Sequence, residues 1–188
     1  LFMAITRSLF RTLSQQVLSP AKIVTDMNNS ISDNNESNMF VTLIVGILDL
    51  ETGKLKLCNA GHNPPILIRP DGQVSFLEFK TQIFVGVIEE FAYTEDETTL
   101  EKGSKLFLYT DGVTEAENTE KELYGDEKLL KTLSDNNTSD VRTTVNGIED
   151  SVADHVKEAE ASDDLTILLI QYEPGQQTIK HISLWKEK

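Results

Sequence analysis

Cysteine is nearly absent: Cys58 is the only one in 188 residues. One thiol cannot close an internal disulfide, so a reducing compartment, the cytoplasm, is the natural setting. Cys58 lies in a strand pattern, which favours a buried structural thiol over a nucleophile. Basic residues are scarce too, with 17 Lys and Arg against 31 Asp and Glu and a formal net charge of −14. No Lys/Arg cluster marks a nucleic-acid footprint, and a charge of this sign repels phosphate backbones and anionic membranes. Solubility is its main consequence. Long hydrophobic runs are also missing. The longest, Met39–Leu48, includes Thr42 and is too short to span a bilayer, and no signal peptide is visible. There are no internal repeats and no low-complexity segments. Residue 1 is Leu rather than Met and already sits in a helical pattern. A piece of a longer protein is therefore expected, with any membrane or sensory segments lying elsewhere.

What is present suits one domain of ordinary size. Ile5, Leu9, Leu13 and Val17 recur at helical spacing. Ser19-Pro20 then reads as an N-cap and first turn, predicting a second helix from Pro20 to about Ser32. Strand patterns follow: Met39–Asp49 as a buried strand, Lys54–Asn59 as its return after Thr52-Gly53, then Pro65–Arg69 and Gln73–Phe79 about an Asp71-Gly72 turn. Phe91–Leu100 and Lys105–Thr110 complete an all-strand middle. Helical patterns return at Asp126–Leu133 and Asp140–Ala159, where Val141, Val145, Ile148, Val152 and Val156 form an apolar stripe. Ser162–Tyr172 reads as a last strand. Helices, strands, helices and a strand in that order predict an α+β fold with helices on largely antiparallel sheets. Pro174-Gly175 suggests a boundary, with residues 174–188 a linker or the start of another domain.

The segment Lys105–Asn118, KLFLYTDGVTEAEN, carries the strongest functional signal. Leu106–Tyr109 reads as a buried strand ending at Thr110-Asp111-Gly112, where the glycine turns the chain. A carboxylate at such a strand end suits Mg²⁺ or Mn²⁺, hard cations that take oxygen ligands. Asp163-Asp164 directly precedes a second apolar run, Leu165–Ile170. Two adjacent like charges ahead of a buried strand are unfavourable without a cation, which favours a ligand role for at least one of them. Taken without further context, Asp111 also fits a simple turn aspartate.

Three motifs occur in order: Asn59-Ala60-Gly61-His62-Asn63-Pro64-Pro65, Tyr109-Thr110-Asp111-Gly112-Val113-Thr114-Glu115-Ala116, and Ser162-Asp163-Asp164-Leu165-Thr166. Together with Leu1-Phe2-Met3-Ala4 and Tyr124-Gly125, this series resembles the bacterial metal-dependent serine phosphatases of the PPM (PP2C-like) class, of the sporulation stage II E and sigma-factor-regulator type. The resemblance covers the chain to about Tyr172. It implies an α-β-β-α sandwich of two antiparallel sheets flanked by helices. It also implies two Mn²⁺ or Mg²⁺ ions that activate water for in-line attack on phosphoserine or phosphothreonine. Asp111 and Asp163 match metal ligands of the class. Asp164 matches a further ligand or a residue supporting one through a hydrogen bond. The implied substrate is a phosphorylated anti-sigma-factor antagonist.

Members of the class carry a Gly-Asp-x-x-Gly-x-Gly segment just before the first helix found here, and its aspartate bridges both metals. The expectation is therefore a phosphatase-like domain over 1–173 that lacks its first strands and first metal motif, with weak or no activity in isolation. An open sheet edge would invite pairing between copies, a homodimer. The rival function is a non-catalytic pseudophosphatase that docks a partner. His62 follows Gly61 where eukaryotic relatives tend to carry aspartate. It is a candidate to line the site, although bracing a tight turn is the preferred reading. Gly112 and Glu115 are site-lining candidates beside Asp111, and Glu115 also suits the start of a helix. Arg7 and Arg11 share one helix face and read as solvated. His155 and His181 have no assigned role.

Overall fold

The computed structural model describes residues 2–33, 35, 38–138, 140–159 and 164–175, and the backbone of 180–185. In chain order the elements are α1 (Phe2–Leu13), α2 (Pro20–Ser32), β1 (Leu43–Leu48), β2 (Lys54–Ala60), β3 (Ile66–Ile68), β4 (Val74–Phe76), β5 (Thr81–Gln82), β6 (Asp96–Thr99), β7 (Lys105–Tyr109), α3 (Asp111–Thr114), α4 (Gly125–Asp135), α5 (Val141–Val156), β8 (Thr166–Gln171) and β9 (Lys180–Trp185). They fall into two compact units, residues 1–62 with 78–99 and residues 63–77 with 100–188. Two sheets with helices make the α+β class that the sequence predicts. Among the described residues, no helix is long and apolar enough to cross a membrane.

In the first unit α1 and α2 pack with a sheet of β1, β2, β5 and β6. Helix α2 starts as its sequence predicts, with Ser19 as N-cap accepting from the Lys22 N–H and Pro20 opening the first turn. A contact between distant residues adds to this cap. The Glu95 carboxylate accepts from Ser19 Oγ at 2.7 Å and from the Ala21 N–H at 3.1 Å, and it pairs with Lys56 at 3.2 Å. Ile23, Val24, Met27 and Ile31 of α2 are buried with Val45, Cys58, Ala60, Val85 and Tyr93. Burying a side chain of this kind is worth about 1.5–3 kcal/mol.

Two strands of this unit are shorter than their sequence patterns. Within 39–49 the strand is Leu43–Leu48, with Val45 its one buried residue, while Met39 and Phe40 are exposed. Among the described residues β1 pairs with β2 alone, so it is an edge strand rather than a buried central one. Within 91–100 the strand is Asp96–Thr99, because the Tyr93 N–H is taken by Thr25 Oγ1 of α2 instead of a neighbouring strand. Strand β5 is two polar residues long and carries no periodic signal. It pairs with β2 in parallel, so the sheets are largely but not wholly antiparallel.

In the second unit the strand order is β4-β3-β7-β8-β9, antiparallel throughout. The register sets Ile66, Phe107 and Leu169 side by side on three strands, all fully buried. They meet Leu129 and Leu133 of α4 and Val145, Ile148 and Val152 of α5 in one core. Leu67 and Leu106, which point to the other face, are buried as well. Burial on both faces is why this stretch reads as an unbroken apolar run rather than an alternating one. Residues 174–188, read from the sequence as linker or a further domain, contain β9, which pairs with all of β8.

Cys58 is fully buried, as its strand context predicts, and burial pushes its thiol up to about 12. Burial likewise raises the Tyr93 and Tyr109 hydroxyls to about 12. All three ionise at lower pH in the unfolded chain, from about 9.0 for the thiol and 10.0 for the phenols. Their contribution to stability is thus complete below about pH 9 and is lost as the pH rises toward 12. The urea midpoint is expected to stay level up to about pH 9 and fall above it, less steeply in Cys58→Ala. An unchanged midpoint well above pH 10 would contradict this.

Candidate metal centre

Strand β7 has four buried residues of five and ends against water. Thr110 is still extended, and Asp111 then begins the single turn α3, whose Asp111 carbonyl accepts from the Glu115 N–H at 2.7 Å. Asp111 is exposed at this junction. Its Oδ1 accepts from the Gly112 N–H at 3.1 Å. Among the described residues its other oxygen has no hydrogen-bond donor and the carboxylate has no ion-pair partner.

Asp164 comes to the same end of the sheet from β8. The Thr110 N–H donates to the Thr166 carbonyl at 3.1 Å, extending the β7–β8 ladder by one residue. The Thr110 hydroxyl then accepts from the Thr166 N–H at 3.2 Å and donates to the Asp164 carbonyl at 3.3 Å. Gly112 closes from the other side. A Cβ built on it would lie 2.3 Å from the Asp164 carbonyl oxygen and 2.9 Å from its carbon. Only a residue without a side chain leaves room for the β8 backbone. The Asp164 peptide therefore sits in a notch made by the two neighbours of Asp111, and Asp164 is itself exposed.

Asp111 and Asp164 are oxygen donors of the type Mg²⁺ and Mn²⁺ take, so the chemistry of the donor pair fits such an ion. Among the described residues no group of three or more His, Cys, Asp or Glu side chains comes together to hold a metal. Asp163, the other predicted ligand, lies outside the described residues. Glu115 is exposed at the C-terminus of α3, and its backbone closes the turn that begins at Asp111.

Below this end, the Tyr109 hydroxyl is buried without a hydrogen-bond partner among the described residues. Burial dominates its raised pKa and the Asp126 charge adds to it. Asn63 opposes the rise but does not complete a hydrogen bond. The loop after α3 is pinned to α5. His155 meets Lys128 Nζ through Nδ1 at 3.0 Å and the Glu122 carbonyl through Nε2 at 3.0 Å. Lysine can only donate and a carbonyl only accept, so Nδ1 takes the acceptor role and Nε2 the donor role.

His62 belongs to the first unit, where its backbone bonds to Asn59 and its ring meets Thr42. Its N–H donates to Asn59 Oδ1 at 2.8 Å, Asn59 Nδ2 donates to its carbonyl at 2.9 Å, and its Nδ1 meets Thr42 Oγ1 at 3.2 Å. Gly61 turns the chain at φ +77°, with the Phe84 ring packed where a Cβ would stand. The paired Asn59–His62 hydrogen bonds close the turn at Gly61. Arg7 and Arg11 are exposed. Sequence reasoning did not single out Thr110 or Asn59. A hydroxyl just before Asp-Gly was visible, but its partners lie 54 and 56 residues away.

Two sheets with helices, and acidic residues at adjacent strand ends, define a protein of the PP2C-type phosphatase fold. The SiaA-PP2C domain of Pseudomonas aeruginosa superposes with a TM-score of 0.79 at 18% identity, covering 90% of this chain and 68% of that one. The catalytic domain of the serine threonine protein phosphatase PstP, solved in complex with two manganese ions, superposes with a TM-score of 0.62 at 15% identity, covering 88% and 78%. The chain belongs to the stage II sporulation protein E (SpoIIE) family, whose model matches residues 1–173. It is similar to the phosphoserine phosphatase RsbU of Bacillus subtilis, 24% identical over 172 residues that cover 91% of this chain and 50% of RsbU. The chain spans 31% to 50% of the length of the curated relatives it matches.

Proposed function

We propose that the chain is the phosphatase domain of a metal-dependent protein serine/threonine phosphatase. Its substrate is phosphoserine or phosphothreonine on a regulatory protein, an anti-sigma-factor antagonist. One observation carries this reading: in a member of the SpoIIE family, Asp111 and Asp164 stand exposed at the adjacent ends of β7 and β8. The naming of RsbU as a phosphoserine phosphatase supports the substrate class, and the two manganese ions of PstP support the metal.

Asp111 and Asp164, together with Asp163 of the same sequence pair, would hold Mn²⁺ or Mg²⁺. Such ions, when bound, supply a water of lowered pKa and offset charge on the phosphoryl group. In the reaction a water oxygen bonds to phosphorus as the phosphorus–seryl oxygen bond breaks. The seryl oxygen ends protonated and inorganic phosphate leaves. The chain's own part is positional. The Gly112 N–H orients the Asp111 carboxylate, and Gly112 and Glu115 line the site beside it. Thr110 and Gly112 seat the β8 backbone that carries Asp164. A reducing compartment, as the lone Cys58 suggests, is the proposed setting.

The test uses the full-length protein with p-nitrophenyl phosphate and with a serine-phosphorylated anti-sigma-factor antagonist. Phosphate release is expected from both with Mn²⁺, to stop on chelation with EDTA, and to return on adding Mn²⁺. No release from either substrate at saturating Mn²⁺ would overturn the reading.

A further inference from the structure

The Thr110 hydroxyl spans two strands with both of its capacities used. It accepts from the Thr166 N–H at 3.2 Å and donates to the Asp164 carbonyl at 3.3 Å. Its own N–H donates to the Thr166 carbonyl at 3.1 Å, so Thr110 makes two hydrogen bonds to the first residue of β8 and one to Asp164 just before it. Gly112 abuts the same Asp164 carbonyl from beyond Asp111. The residues on both sides of Asp111 thus grip the peptide of Asp164, which couples the two backbone segments that carry the carboxylates. Thr110 bears no charge and no oxygen the metal reading needs. Its place is between the strands that deliver the ligands.

We propose that Thr110 is a positioning residue: its hydroxyl sets the separation of the Asp111 and Asp164 backbones and thereby the affinity and selectivity of the site for divalent ions. This rests on the phosphatase reading above and deepens it. The direction of selectivity follows from the ions. Mg²⁺ demands near-ideal octahedral geometry at about 2.0–2.1 Å and gives up water reluctantly. Mn²⁺ binds N/O sites within the general affinity order of the first-row metals and is less exacting. Loosening the notch therefore costs Mg²⁺ more than Mn²⁺. Thr110→Val keeps the branched shape and removes the hydroxyl. Thr110→Ser keeps the hydroxyl and removes a methyl.

The experiment measures Mn²⁺ and Mg²⁺ binding to the full-length wild type, T110V and T110S by titration calorimetry, with the metal-free Tm of each. T110V is expected to weaken Mn²⁺ about tenfold or more, in the range for loss of an outer ligand-orienting partner, and Mg²⁺ further. T110S should stay within about threefold of wild type, since its hydroxyl can make the same two hydrogen bonds. At saturating Mn²⁺ the kcat of T110V should recover most of its wild-type value, with the deficit in the metal concentration required. Wild-type binding by T110V overturns the inference while leaving the phosphatase reading intact. So does a T110S as weak as T110V, which would assign the effect to packing. A wild type that binds neither ion overturns both. If T110V does not fold, T110A takes its place against the same T110S comparison.

Discussion

Asp111→Asn is expected to lower Mn²⁺-dependent phosphate release by about a hundredfold or more, a larger loss than the roughly 10–100-fold that follows removal of an outer-sphere partner. The substitution is isosteric and removes a charge from an exposed residue. The one hydrogen bond of the carboxylate among the described residues, from the Gly112 N–H, is one that an amide oxygen can still accept. The fold should persist, with metal-free Tm within about 2 °C of wild type, since surface substitutions away from special features usually fall within about 0.5 kcal/mol. The loss should therefore appear in activity and in metal binding rather than in folding. Unchanged activity at saturating substrate would remove Asp111 from the site, and with it the observation on which the phosphatase reading stands.

Gly112→Ala is expected to damage both stability and activity, for a reason of space rather than charge. Within a helical turn alanine is favoured over glycine by about 1 kcal/mol. Against that stands a new Cβ 2.3 Å from the Asp164 carbonyl oxygen. The obstacle is backbone and cannot swing aside, so α3 and β8 must part. Parting them breaks the Thr110 bonds to Asp164 and Thr166. Overpacking of this kind costs about 1–3 kcal/mol, and a clash with backbone lies at the upper end, which leaves a net loss of up to about 2 kcal/mol and a fall in Tm of up to about 4–8 °C for a domain this size. Because Asp111 is displaced as well, phosphate release should fall about as far as in Asp111→Asn. Gly46→Ala is the control. Its Cβ would meet Leu55 Cδ1 at 3.6 Å, an ordinary contact, and the variant should be tolerated. A Gly112→Ala protein as stable and active as wild type would mean that the notch is not as tight as described.

The helices were the most legible part of the chain. Ser19-Pro20 announced α2 and the valine stripe announced α5, because caps and 3.6-residue periodicity act within one turn of chain. The turns at Thr52-Gly53 and Asp71-Gly72 were legible for the same local reason, with Gly53 at φ +74° and Gly72 at φ +90°. The strands of the first unit were less so. Nothing local tells an edge strand such as β1 from a central one, and Gln82 is held by the Thr94 backbone, 12 residues away.

The site divides along the same line. By itself the sequence determined the kinds of chemistry available: a carboxylate closing a buried strand at Asp111, an acidic pair ahead of another at Asp163-Asp164, and one thiol too buried to compete. Apolar runs and turn residues act locally, and the local pattern already ends each strand at an acid. Only the tertiary structure decided that the strand carrying Asp111 lies beside the one led by Asp164, at the register Tyr109 to Ile167. It also decided that Thr110 and Gly112 hold the two ends together. Those contacts join residues more than fifty positions apart, and they exist only once the core beneath β7 and β8 has set the strands side by side.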